Sequence, residues 1–201
     1  MTPEALAIVG AWQVPLQQYG DDRGYFAEWF RPEVASEVLG RPWHTAQANV
    51  SQSRRGVVRG LHYALVPPGQ AKWVTCMAGV ITDFIVDLRV GSPSFGQHVA
   101  VELDAARGDA VLIAEGLGHA FVVQSESALV AYLVNQPFNP SRELAVSPLD
   151  PALGLDFGGL QLVLSPKDEA APSLAEAAAA GALPTWDQWL ALGANSANSA
   201  S

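Results

Sequence analysis

The chain predicts an all-β domain built as a double-sheet jelly roll or barrel, and three observations lead there. Between about residue 6 and residue 164, short apolar or alternating runs are broken repeatedly by Gly, Pro, Asp and Asn, the pattern of many short strands. Helical periodicity is scarce before residue 173. Many antiparallel strands in one domain must also manage their edges, and folding two sheets together or closing a barrel is the usual solution.

The elements follow in order. Pro32 to Leu39 is expected to form a short helix, with proline in the first turn, where its missing N–H costs nothing. The clearest strand is Val80 to Val90: Phe84, Val86 and Leu88 point one way, and Asp83, Asp87 and Arg89 the other. One of its faces is therefore polar, turned to solvent or to a wet cavity. Gly91-Ser92-Pro93 ends it as a turn, and His98 to Leu103 begins another alternating run. Val111 to Ala114, Ala120 to Val123 and Leu129 to Val134 read as further strands, with Tyr132 on the face of Val130 and Val134. Arg59 and His62 fall on opposite faces of a regular strand. Gly60 between them is where a bulge would reset the alternation and bring both to one site. Ser173 to Ala180 is helical by propensity, capped by Ser173 and stopped by Gly181, and Trp186, Trp189 and Leu190 offer an apolar face to the domain. The organisation is one domain over 1–172, then a segment 173–201 with a short helix and, beyond Gly193, an Ala/Asn/Ser tail with nothing to bury and no expected order.

With 201 residues, 49% of them apolar, the chain is long enough for one well-buried core. No run approaches eighteen apolar residues, and the N-terminus lacks the basic, apolar and small-residue regions of an export signal, so a soluble cytoplasmic protein is expected. The single Cys76 makes no internal disulfide and is too little for a thiolate metal site. A net charge of −9 argues against nucleic acid or an anionic membrane surface as partner. An anionic small molecule remains open if the few cations converge. Arg54-Arg55 reads as a solvated pair beside a turn, and Lys167 as a neutraliser of local acid charge or a diphosphate contact.

Chemistry concentrates in four segments: Arg59-Gly60-Leu61-His62, the stretch around Lys72, Glu115-Gly116-Leu117-Gly118-His119-Ala120-Phe121, and Ser165-Pro166-Lys167-Asp168. They supply a candidate base, a cation, a second imidazole and a carboxylate, while Tyr132 supplies a candidate acid. The only two lysines, Lys72 and Lys167, both fall inside them. Asp83 and Asp87 are candidate ion-pair partners of Arg89 or of the site cations. His44, His62, His98 and His119 are scattered without metal-ligand spacing, so no metal site is expected.

Taken in order, these segments resemble one family. Asp22-Arg23-Gly24-Tyr25-Phe26-Ala27-Glu28, Gln47-Ala48-Asn49-Val50-Ser51, Arg59-Gly60-Leu61-His62-Tyr63 and Gly69-Gln70-Ala71-Lys72 are followed by Asp87-Leu88-Arg89-Val90-Gly91-Ser92-Pro93. Glu115-Gly116-Leu117-Gly118-His119, Asp150-Pro151-Ala152-Leu153-Gly154 and Leu164-Ser165-Pro166-Lys167-Asp168 complete the series. It resembles the dTDP-4-dehydrorhamnose 3,5-epimerase family of cupin-fold nucleotide-sugar epimerases over about residues 5 to 174. The resemblance implies a homodimeric jelly roll that epimerises a dTDP-4-keto-6-deoxyhexose at C3, C5 or both, without cofactor or metal. It implies that His62, paired with Asp168, removes a proton alpha to the C4 ketone, that Tyr132 returns one from the other face, and that Lys72 supports the enolate oxygen. It further implies a substrate site lined by Arg23, Phe26, Glu28, Gln47, Asn49, Arg59, His119 and Phe138, with Arg23, Phe26 and Glu28 reaching in from the partner subunit.

Those residue types suit the chemistry. A proton alpha to a ketone is weakly acidic, so the base must be positioned and the developing oxyanion must meet a preorganised charge. Histidine is readily neutral near pH 7, and a carboxylate fixes its tautomer and stabilises the imidazolium. Inversion requires a donor opposite the base. A diphosphate calls for cations, and Arg offers bidentate pairing.

The chain departs from many relatives at Ala48, Val50, Leu133 and Phe138, where the family often has Asp, His, Lys and Tyr. These changes, with the arginine-rich composition of a high-GC genome, resemble an antibiotic-sugar pathway member, and some such members invert one carbon only. A metal-dependent cupin is the enzyme rival, because Gly116-Leu117-Gly118-His119 resembles part of the second cupin motif, yet no second histidine flanks His62. A same-fold ketoisomerase and a non-catalytic nucleotide-sugar-binding cupin are the remaining alternatives.

Overall fold

The computed structural model describes residues 1–198. The first half contains strands β1 (Glu4–Ala5), β2 (Ala11–Pro15), β3 (Gln18–Asp21) and β4 (Gly24–Ala27), helix α1 (Pro32–Leu39), then β5 (Gln47–Arg54), β6 (Val58–Ala64), β7 (Lys72–Ala78) and β8 (Val80–Asp87). It continues with β9 (His98–Asp104), β10 (Asp109–Ile113), β11 (Leu117–Val123), β12 (Ser127–Val134) and β13 (Glu143–Ala145), followed by α2 (Pro166–Glu169), α3 (Leu174–Ala179) and α4 (Trp186–Asn198). Six strands form one sheet in the order β1-β2-β10-β7-β12-β5, and five form the other in the order β13-β6-β11-β8-β9. Every ladder between named strands is antiparallel, as in a jelly roll, and β3 and β4 stand apart as a hairpin.

The sheets pack face to face over a core that includes Val74, Ile85, Val111, Phe121 and Val130. Both outer faces are covered too. Trp43, Trp73 and Leu112, with Trp29 and Phe30, bury the back of the six-stranded sheet beneath α1. Phe84, Val86, Leu88 and Val122 do the same for the five-stranded sheet beneath Leu153, Leu174 and Leu183. A sheet buried on both faces reads as near-continuous apolar sequence, which explains runs such as Val111 to Ala114.

The polar face of β8 turns inward. Asp83 and Asp87 are both fully buried. The strand stops at Asp87, three residues short of the predicted Val90, because the Asp87 carboxylate accepts from the Arg89 backbone N–H and from Ser92 and Ser94, bending the chain out of the ladder.

Helix α1 occupies the predicted range, with Pro32 in its first turn and Gly40 closing it at φ +67°. Helix α3 carries a capping box in which Ser173 and Glu176 exchange hydrogen bonds. Trp186 and Trp189 stack on the buried Arg89 guanidinium, 4.7 and 4.5 Å from the ring centroids. The helix they start runs on to Asn198, so helical order continues past Gly193 into sequence where none is expected. The rest of the predicted tail, residues 199–201, lies outside the described residues.

Candidate active site

The site is made by an irregularity in β6. His62 pairs with His119 of β11, and Arg59 pairs with Phe121, so three steps along β6 oppose two along β11. The extra residue is a bulge at Gly60, which lies at φ +118°. A Cβ there would sit 2.5 Å from the His119 carbonyl oxygen and 2.6 Å from the Ala120 Cβ, so the position admits glycine only. The bulge meets the condition set by the sequence: Arg59 and His62 open onto one cavity of about 380 Å³.

Arg59, His62, Lys72, His119, Tyr132 and Asp168 line this cavity. The two sheets contribute from opposite walls. His62 and His119 come from the five-stranded sheet, Lys72 and Tyr132 from the six-stranded one.

Asp168 is delivered by α2, whose N-cap Ser165 accepts the Asp168 backbone N–H at 3.1 Å. Its Oδ1 lies 2.7 Å from His62 Nε2. Burial alone would raise the Asp168 carboxyl, but the hydrogen bond and charge of His62, the Ser165 hydroxyl and the Gly60 backbone N–H together hold it below the ordinary carboxylate value. Gly60 thus shapes the wall and also steadies the carboxylate.

A second pair of the same kind sits beside the first. His119 Nε2 lies 2.6 Å from Asp83 Oδ2, on a fully buried carboxylate. The other Asp83 oxygen, Oδ1, is buried without a hydrogen-bond partner among the described residues. Lys72 is 8% exposed. Burial lowers its pKa, opposed by the negative charges of Glu143 and Asp83. Tyr132 is shifted upward by burial and by Glu143, against the pull of Arg59. Arg59 is itself held by donating from Nε to Ser53 Oγ at 2.9 Å.

The remaining predicted site residues do not line this cavity within one chain. Gln47 donates to Asn49 at 2.6 Å and accepts the Phe138 backbone N–H at 3.0 Å, so these three form a neighbouring group at the end of β5. The Phe138 ring is exposed and borders a second cavity with Gln70 and Glu143. Arg23, Phe26 and Glu28 lie on or beside the β3–β4 hairpin; Arg23 pairs with Asp21, and Phe26 is 66% exposed.

Asp83, Glu143 and Lys167 carry more than the sequence suggests. Alternation in β8 marks Asp83 as part of a polar face turned to solvent or to a cavity and leaves its partner open between Arg89 and the site cations; the face turns inward and the partner is His119. Glu143 belongs to a three-residue strand with no periodic signal. Lys167 lines the cavity and makes no ion pair among the described residues.

The arrangement can move protons: an imidazole backed by a carboxylate on one wall, and a phenol and a buried lysine on the other. Among the described residues no group of three or more His, Cys, Asp or Glu is placed to hold a metal ion.

The model of the family described as dTDP-4-dehydrorhamnose 3,5-epimerase matches residues 5–176. A dTDP-4-dehydrorhamnose 3,5-epimerase of Mycolicibacterium smegmatis is 48% identical over 187 residues, 92% of each chain. A dTDP-4-dehydro-6-deoxyglucose 3-epimerase of Streptomyces bikiniensis is 43% identical, covering 92% of this chain and 94% of its own. Among solved structures, NovW, a 4-keto-6-deoxy sugar epimerase from the novobiocin gene cluster of Streptomyces spheroides, superposes with a TM-score of 0.91 at 45% identity, over 94% of this chain and 95% of that one. ChmJ, a 3'-monoepimerase from Streptomyces bikiniensis solved with dTDP-quinovose, gives 0.92 at 42% identity over 98% of both chains. With a jelly roll, a His62-Asp168 pair and a facing Tyr132 already in place, the chain belongs to the dTDP-4-dehydrorhamnose 3,5-epimerase family.

Proposed function

We propose that the protein is an isomerase that epimerises a dTDP-4-keto-6-deoxyhexose at C3, C5 or both. The observation that carries this reading is that His62 and Tyr132 enter one cavity from opposite sheets, with Asp168 behind the first. A sugar held between them exposes one face of its alpha carbon to a base and the other to an acid. His62 takes the alpha proton, and Asp168 stabilises the resulting imidazolium. The electron pair moves onto the C4 oxygen, where Lys72 supplies positive charge. Tyr132 then donates its proton to the opposite face of the carbon, the ketone reforms, and the centre is inverted. The phenolate is reprotonated and the imidazolium releases its proton to solvent before the next cycle. The chain's own residues account for every proton, so no cofactor is called for.

The exposed Arg23, Phe26 and Glu28 make sense if the β3–β4 hairpin of one protomer completes the site of its partner in a homodimer. Among the described residues no helix is long and apolar enough to cross a membrane, and we place the enzyme in the cytoplasm, where nucleotide sugars are made. Because relatives of similar identity carry both 3,5-epimerase and 3-epimerase names, the number of centres inverted is left to experiment.

The test is NMR of dTDP-4-keto-6-deoxyglucose incubated with the protein in deuterium oxide, following C3 and C5 separately. Deuterium with inversion at both carbons marks a 3,5-epimerase, and at one carbon a mono-epimerase. A moved carbonyl would mean a ketoisomerase, and binding without exchange a non-catalytic cupin; either overturns the proposal.

A further inference from the structure

The eleven basic residues are not spread evenly over this acidic chain. Arg23, Arg41, Arg89 and Arg107 each pair with a carboxylate. Of the seven that make no carboxylate ion pair among the described residues, Arg59, Lys72 and Lys167 line the active cavity. Two more, Arg54 and Arg55, border a surface notch with Gln161 and Val163. Val163 also lines the active cavity, so notch and cavity adjoin. Five cations that make no carboxylate ion pair among the described residues therefore lie in two adjoining depressions on a protein of net charge −9.

The notch is built on fixed backbone. Gly56 lies at φ +78°, where a Cβ would come within 2.2 Å of the Gln161 carbonyl oxygen. Val58 N–H donates to the Val163 oxygen and Val163 N–H to the Gly56 oxygen, both at 2.9 Å, and Arg55 N–H donates to the Glu126 oxygen at 3.0 Å. The turn carrying the two arginines is thereby tied to the segment that leads to Ser165 and Lys167. The carboxylates of Asp168 and Asp83 are each engaged by a histidine, and Arg54 and Arg55 are both exposed.

We propose that Arg54 and Arg55 form a capture subsite for the diphosphate of a nucleotide sugar, at the rim of the cavity and outside its chemistry. This rests on the functional reading above. An acidic protein repels a dianionic ligand at long range, and a local cationic rim reverses that field along one approach. Such a contribution is screened by salt over a Debye length of about 8 Å at physiological ionic strength.

The experiment compares wild type with the double variant Arg54→Gln/Arg55→Gln, measuring kcat and kcat/KM from low to high salt and the binding of dTDP and of uncharged thymidine by calorimetry. The variant should keep its kcat and lose about tenfold in kcat/KM at low salt. Its plot of log kcat/KM against log salt should flatten until the two enzymes converge at high salt. Binding of dTDP should weaken in parallel while thymidine binding stays unchanged. Arg55→Glu should weaken dTDP binding further, and equal melting temperatures check that the fold is kept. An unchanged salt slope, or a loss confined to kcat, overturns the proposal. If wild type neither binds dTDP nor turns over, it is the functional reading that fails.

Discussion

His62 and His119 stand directly opposite each other across the β6–β11 ladder, and each commits its Nε2 to a separate carboxylate, at 2.7 Å and 2.6 Å. Among the described residues, Nδ1 in both rings is the nitrogen that no carboxylate engages. Two oriented imidazoles thus share one cavity wall, one partnered by a helix-borne aspartate and the other by a strand-borne one. Their supports differ in depth, and so do their expected roles.

His62→Ala should abolish solvent exchange at every carbon the enzyme inverts, while Tyr132→Phe should keep exchange by the base and lose inversion. Removing a positioned acid or base costs about 100-fold or more in rate, and substrate binding should survive. Deuterium incorporation by NMR, beside product stereochemistry, separates the two variants. Full turnover by His62→Ala would end the mechanism.

Asp83→Asn keeps the shape of the side chain but removes the charge that orients His119. A hydrogen bond to a charged group contributes about 1.5–3 kcal/mol, so kcat should fall about 10- to 100-fold with KM little changed. Steady-state kinetics checks this, and a shift in the pH profile would mark an effect on His119 rather than on packing. Unaltered kcat would mean that His119 needs no orienting partner.

Lys72→Met replaces a buried ammonium by an apolar chain of similar length. Because burial depresses the folded-state pKa of Lys72 below its unfolded value, the folded protein binds fewer protons than the unfolded chain between the two values. Stability of the wild type should therefore rise with pH toward about 10.4, and the variant should lack that part of the slope. Urea unfolding at pH 7 and pH 10 reads the difference. The same variant should lose most activity, since the C4 oxygen loses its cation.

Gly60→Ala places a methyl group against the backbone of β11 in a left-handed conformation. A loss of about 2–4 kcal/mol in chemical denaturation is expected, from strain and overpacking together. Activity should fall with it, because the bulge at this residue sets the spacing of Arg59 and His62.

Local chemistry was legible in the sequence where a single segment determines it. Pro32 and Gly40 bracket α1, Ser173 caps α3, and the alternation of Val80 to Val90 marks β8 and its polar face, overrunning its end at Asp87. The bulge was visible as a condition, since only a glycine between Arg59 and His62 could bring both to one side. What stayed hidden depends on pairing across the chain. Nothing near Asp83 names His119, 36 residues away, as its partner. The strand at Glu143–Ala145 and the single turn of α2 are too short for any period to register. Gln47 and Asn49 are spent on each other and on the Phe138 backbone, an outcome fixed by side-chain geometry that residue type does not reveal.

Helix α4 begins ten residues after the family match ends at residue 176, yet it is bound to the heart of that match. Its two tryptophans enclose Arg89, whose guanidinium meets both oxygens of Asp87 at 2.8 Å. Cutting the chain after Thr185 would flood that compartment with water and loosen the turn that ends β8, the strand bearing Asp83. A truncation designed on the family boundary would therefore reach the second imidazole from behind, through three links of contact, without touching a residue of the cavity.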